Sequence, residues 1–181
     1  MIEEEQTETS KEFTILTHNV RGFYNDNGRR SVQDYVNYLA KGELPDIICL
    51  QEFPREAQGI KAVDTLLEGR FEKYYYAEAV EGGEYVVRTY SRYPIIAQGS
   101  VAGEGRGTSQ WCDIVYNQYD TIRIFNNHLY TMSITPDDTE NIARGKILQD
   151  GDRMRSIVNR IADNSSIRAS HVDTLRYIMD N

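Results

Sequence analysis

Three side chains of types used in acid–base work and ligand binding sit where a layered fold gathers such groups: Asn19, Glu52 and His128. Asn19 follows the β-branched, apolar run Phe13-Thr14-Ile15-Leu16-Thr17. Glu52 follows Asp46-Ile47-Ile48-Cys49-Leu50, and His128 lies in Phe125-Asn126-Asn127-His128-Leu129, near the end of the run 121–129. Ligands of α/β folds collect just beyond strand ends, so polar residues at those points are candidates. Taken singly, each has a plainer use. An Asn after a strand is a turn residue, a Glu beside Phe-Pro is solvated, and a lone His is a satisfied buried one.

The elements that must position these residues can be read from periodicity. Residues 13–17 form a first strand running into a Gly22 turn. Ser31 followed by Asp34 resembles a capping box, and Val32, Tyr35, Val36 and Leu39 recur at helical spacing until Gly42 and Pro45. Residues 46–50 read as a strand covered on both faces that terminates in Gln51-Glu52-Phe53-Pro54. A second helix fits 56–67, with Gly69 placed to cap it. Strand-like runs then cover 71–79, 84–90, 95–101, 110–117 and 121–129, an antiparallel meander with turn residues between. Met154, Ile157, Val158 and Ile161 mark one further helix, and Val172, Leu175, Ile178 and Met179 another. The fold class is α/β (α+β): a mixed, largely antiparallel sheet flanked by helices.

Four segments in sequence order carry a resemblance: Thr17-His18-Asn19-Val20-Arg21, Pro45-Asp46-Ile47-Ile48-Cys49-Leu50-Gln51-Glu52, Ser91-Arg92-Tyr93-Pro94-Ile95 and Asn126-Asn127-His128-Leu129. Together they resemble the endonuclease/exonuclease/phosphatase family, the superfamily of pancreatic deoxyribonuclease. The resemblance implies the first half of a four-layer α-β-β-α sandwich and a Mg²⁺-dependent phosphoesterase, with Mn²⁺ as a substitute. Glu52 matches the metal ligand, and Mg²⁺ is a hard cation held by one or two carboxylates with water and phosphate completing the shell. Asn19 matches the amide beside that metal and counts as both a metal and a catalytic candidate. His128 matches the imidazole that contacts the scissile phosphate. Ser91 and Arg92 are substrate-binding candidates, weighed equally against a turn between strands. Arg106, in Gly103-Glu104-Gly105-Arg106-Gly107, is another; that glycine-rich stretch lacks a strand-to-helix context and reads as a hairpin tip, not a phosphate loop.

The family pattern continues with Gly-Asp-x-Asn and closes on Ser-Asp-His, and neither motif occurs in these 181 residues. The Gly151-Asp152 pair is followed by Arg153-Met154 in a helical stretch, and Ser170 directly precedes His171. The missing Asp-His pair is the family's general base, and an activated water needs a base within hydrogen-bond reach. The expectation is therefore a partial domain over 13–181 of a longer parent enzyme, nearly inactive alone. The alternative is a non-catalytic binding or assembly module, or one half of a split enzyme. A single half would leave an apolar sheet face bare and self-associate through it. The substrate is a phosphate ester, whether nucleic acid, phospholipid or a small ester.

Composition narrows this further. The formal charge is −8, and the first twelve residues, with five Glu and one Lys, read as a disordered acidic tail. From residue 13 onward there is no basic footprint for non-specific binding to a phosphate backbone. No apolar run approaches the roughly 20 residues of a membrane helix. Cys49 and Cys112 read as buried free thiols, and two Cys with three His give a structural zinc site little to build on. Free thiols lean toward a reducing compartment, whereas a Glu-rich start equally suits a linker from a membrane-anchored parent, so the compartment stays open.

Overall fold

The computed structural model describes residues 12–25, 27–71, 73–82, 84–103, 107–117, 120–145 and 150–180. The acidic tail falls almost wholly, and Arg106 entirely, outside the described residues.

Strands β1 (Ile15–Asn19), β2 (Ile47–Pro54), β3 (Tyr75–Gly82) and β4 (Tyr85–Ser91) form one sheet in the order β1-β2-β4-β3. β1 runs parallel to β2, and the remaining pairs are antiparallel. Helix α1 (Val32–Ala40) makes the crossover between β1 and β2, with the Ser31 hydroxyl accepting from the Asp34 amide at 3.3 Å. Helix α2 (Ala57–Glu68) follows β2 and ends at Gly69, whose amide bonds the Thr65 carbonyl. Both bury their apolar stripes, Tyr35 and Leu39 from α1 and Val63 and Leu67 from α2, against Ile48, Leu50, Phe53, Val86 and Tyr90 of the sheet.

β5 (Ile95–Ala102), β6 (Thr108–Val115) and β7 (Thr121–His128) make a second, antiparallel sheet. The meander thus divides in two. Its break is Ser91-Arg92-Tyr93-Pro94: the Ser91 hydroxyl accepts from the Tyr93 amide at 3.0 Å, and Pro94 has no N–H to continue a ladder. The second sheet lies over the first, burying Cys112 and Ile114 against Ile47, Cys49 and Ala77. This explains the unbroken apolar run in β2. Alternate residues point to opposite faces, so Ile48 and Leu50 meet the helices while Ile47 and Cys49 meet the second sheet. It also corrects one expectation. The inner face of the first sheet is covered within the chain, which removes the bare face on which self-association was argued.

Helix α3 (Pro136–Ala143) opens on a full capping box between Thr135 and Asp138. Helix α4 (Gly151–Asp180) is one continuous helix of 30 residues where two were expected. Both cysteines are free and buried. No described helix is long and apolar enough to cross a membrane.

Candidate functional site

Asn19, Glu52 and His128 arrive from three strands and meet. The parallel register places Asn19 opposite Gln51, so the end of β1 lies beside Glu52. Asn19 is then fixed by its own turn: its Oδ1 accepts from the Arg21 amide at 2.9 Å, as short polar side chains do where a strand turns. With that oxygen engaged, Nδ2 donates to Glu52 Oε1 at 2.9 Å. The turn runs through left-handed backbone at Arg21, Gly22 and Phe23. Gly22 is required there by contact as well, since a Cβ would sit 2.9 Å from Cε1 of Tyr85.

Glu52 differs from the sequence expectation in an instructive way. β2 does not end before it but continues to Pro54, pairing Phe53 with Val86 and Pro54 with Tyr85 after a register shift past Leu50. Glu52 sits on that bulge with φ +48°, a conformation that costs a non-glycine residue about 1–3 kcal/mol. The carboxylate of the bulged residue reaches both Asn19 and His128.

His128 is the last residue of β7. Its Nε2 lies 3.5 Å from Glu52 Oε1 and 3.5 Å from Asn19 Nδ2. Burial holds the imidazole below its ordinary titration range; the Glu52 carboxylate opposes that, and the positive charge of Arg168 adds to it. At neutral pH the ring is therefore uncharged, able to donate at one nitrogen and accept at the other. The side chains of Glu52 and His128 are about one quarter exposed, so the cluster is open on one side.

Two residues that the sequence reading passed over lock the three strands in place. Gln51 Nε2 donates to Asn126 Oδ1 at 2.6 Å and to Thr17 Oγ1 at 3.1 Å. Asn126 Nδ2 approaches the Leu50 and Arg88 carbonyls and Thr89 Oγ1 at 3.0 to 3.3 Å, all buried. This polar clamp ties β1, β2, β4 and β7 across the sandwich. Gln51 precedes Glu52 by one residue and Asn126 precedes His128 by two, so the clamp sets both functional side chains. Their presence in otherwise apolar strands was the signal.

Ser91 and Arg92 are not brought to this cluster. Ser91 pairs in register with Ile47, and Arg92 bonds Asp46 Oδ1 at 2.9 Å with its guanidinium 4.6 Å from the centre of the Phe71 ring. That is the other end of β2, roughly 20 Å of strand from Glu52.

Among the described residues no set of three or more His, Cys, Asp or Glu forms a metal cage. One carboxylate oriented by an amide and open to water suits Mg²⁺, which keeps several waters and binds through one or two carboxylates. The Glu52 arrangement fits such an ion as a partial shell.

The model of the Endonuclease/Exonuclease/phosphatase family matches residues 16–167. No curated protein matches the chain. Among solved structures, TDP2 from C. elegans superimposes with a TM-score of 0.53 at 15% identity, over 82% of this chain and 44% of that one. ANGEL2, a 2',3'-cyclic phosphatase, gives 0.52 at 14% identity over 66% of this chain and 42% of that one. D. rerio TDP2, complexed with a single-strand DNA product, gives 0.50 at 18% identity over 76% and 53%. These likenesses show a shared fold, and the chain spans about half the length of each of those structures.

Proposed function

The chain belongs to the endonuclease/exonuclease/phosphatase family, and from that premise we propose that Glu52, Asn19 and His128 form the metal- and phosphate-binding part of a divalent-metal-dependent phosphoesterase. The observation that supports it is the convergence of the three side chains within 3.5 Å, with Glu52 held on a left-handed bulge. Glu52 would hold Mg²⁺ or Mn²⁺, which when bound neutralises charge on the phosphate and polarises its oxygens. Asn19 Nδ2 orients the carboxylate, an outer-shell role that fixes a ligand without altering the charge of the site. The neutral His128 donates to a non-bridging oxygen, where negative charge builds during in-line attack by water.

Within these 181 residues neither the Gly-Asp-x-Asn motif nor the closing Asp-His pair of the family occurs. The chain therefore supplies binding and positioning but no evident base for the attacking water. The substrate class is a phosphate ester. The 2',3'-cyclic phosphatase activity of ANGEL2 and the single-strand DNA product held by D. rerio TDP2 favour a nucleotide-derived one.

The test is the binding of inorganic phosphate, followed by ³¹P NMR with and without Mg²⁺. Binding is expected to require the metal and to vanish in Glu52→Gln. Asn19→Ala is expected to weaken metal affinity about 10–100-fold. Phosphate binding that ignores both Mg²⁺ and Glu52 refutes the assignment. In parallel, a chromogenic phosphodiester should show no Mg²⁺-dependent turnover by this chain; turnover abolished by Glu52→Ala would overturn the argument from the missing base.

A further inference from the structure

The inward stripe of α4 is largely polar. Ile157, Arg160, Asn164, Arg168, His171 and Leu175 recur at intervals of three and four, one face of a helix, and Ile157, Asn164, His171 and Leu175 of that stripe are buried. Three of its polar members have a docking point. Arg160 pairs with Asp138 Oδ2 at 2.6 Å. His171 Nε2 lies 3.1 Å from Ser109 Oγ, in a cradle where a Cβ on Gly103 would come within 2.4 Å of Nδ1 and one on Gly107 within 2.9 Å. Arg168, one turn before His171, donates from Nη1 to the Tyr130 carbonyl at 2.8 Å.

The last contact matters because of where Tyr130 lies. It is two residues past His128, so the docked helix carries a guanidinium to the rim of the Glu52–Asn19–His128 cluster. Arg30, Arg88, Arg92, Arg123 and Arg160 are each tied to a carboxylate. Arg168 is held instead by a neutral carbonyl, which does not cancel its charge. A guanidinium has five donors in a rigid fork, and one suffices for Tyr130. A fork of this kind matches two oxygens of a phosphate. In a chain of net charge −8, a guanidinium beside this cluster adds to the pull of a divalent ion on the oxygens of a phosphate.

We propose that Arg168 is the cationic phosphate contact of the site, anchored on the Tyr130 carbonyl and donating to a non-bridging oxygen of the substrate beside His128. The proposal rests on reading that cluster as a phosphate site. It also gives the polar stripe a purpose: the Ser109–His171 and Asp138–Arg160 contacts fix the helix on either side of Arg168.

The test is the same ³¹P titration with inorganic phosphate and Mg²⁺, using the 181-residue chain. Arg168→Gln is expected to weaken phosphate affinity about tenfold, the loss of a charge-assisted hydrogen bond. Arg176→Gln, a change at a side chain that is 80% exposed and paired with Asp180 in the same helix, should leave it unaltered. Equal affinity in Arg168→Gln and the unaltered chain, or an equal loss in Arg176→Gln, overturns the assignment. A mapping experiment needs no variant: phenylglyoxal modification of Arg168, read by mass spectrometry, should be suppressed by Mg²⁺ with phosphate while that of Arg176 is not. Equal modification with and without phosphate also overturns it. If the unaltered chain binds no phosphate, the site reading itself fails and this inference with it; if it binds and only Glu52→Gln abolishes binding, Arg168 alone is excluded.

Discussion

Glu52 stores strain at the point where the chemistry is placed. A non-glycine residue at φ +48° persists only when its surroundings fix it, and here β2 and β4 pair on both sides of the bulge. A glycine at this position would relieve the strain and remove the ligand. Glu52→Gly is thus expected to be about 1 kcal/mol more stable to urea than Glu52→Ala, since only alanine retains a Cβ in left-handed backbone. An alanine variant as stable as the glycine one contradicts the strained bulge. His171 offers a second residue-level check. Burial lowers its pKa from 6.5, partly offset by the Val101 backbone, which favours the protonated ring as a hydrogen-bond acceptor, so the folded chain takes up fewer protons than the unfolded one as pH falls past that value. Its contribution is present in full above about 6.5 and is lost on acidification toward the folded pKa. Melting temperature should fall between about pH 7.5 and pH 5.5, above the range where Asp113 and Asp138 titrate, and His171→Gln should flatten that slope. An unchanged slope removes His171 as the cause. At this scale the sequence was informative where motif and strand end coincide, as at Asn19, Glu52 and His128. It was silent on Arg168, whose significance depends on a carbonyl 38 positions away.

The strands, α1 and α2 were legible from periodicity to within a few residues, because each buries a face whose spacing is written locally; α3, a polar helix opened by the Thr135–Asp138 capping box, was not. Which strands share a sheet was not, because pairing is decided by contacts distant in the chain. Thus β4 pairs with β2, the strand two earlier in sequence, rather than with β5, which follows it. The extension of β2 past Glu52 was hidden for another reason: Gln51-Glu52-Phe53-Pro54 looks like a polar stop, whereas the bulge lets the strand resume with Phe53 buried. α4 was read as two helices because its apolar residues cluster at both ends. Between them the helix is held by Arg160 and Arg168, with Asn164 buried, polar side chains that periodicity of apolar residues does not register. The inter-sheet clamp shows the same blind spot. Asn126→Ala would leave Gln51 Nε2, two carbonyls and the Thr89 hydroxyl short of a buried partner, and is expected to cost about 3 kcal/mol in urea unfolding. A loss under about 1 kcal/mol would show that β7 is registered on the first sheet by apolar packing alone.

The whole molecule is a pair of sheets with helices on the outer face of the first, and its site lies where β1, β2 and β7 come together. An acidic chain of net charge −8 gains no general attraction for phosphate, so the proposed function assigns affinity to the local arrangement of metal, His128 and Arg168. The central claim is that Glu52, oriented by Asn19 and faced by His128, holds the divalent ion. Paramagnetic Mn²⁺ titrated into the isotope-labelled chain tests it most directly, because line broadening reports position. Selective broadening of the resonances of Asn19, Glu52 and His128, displaced by excess Mg²⁺ and absent in Glu52→Gln, is the predicted result. Broadening centred elsewhere, or unchanged in Glu52→Gln, contradicts the account.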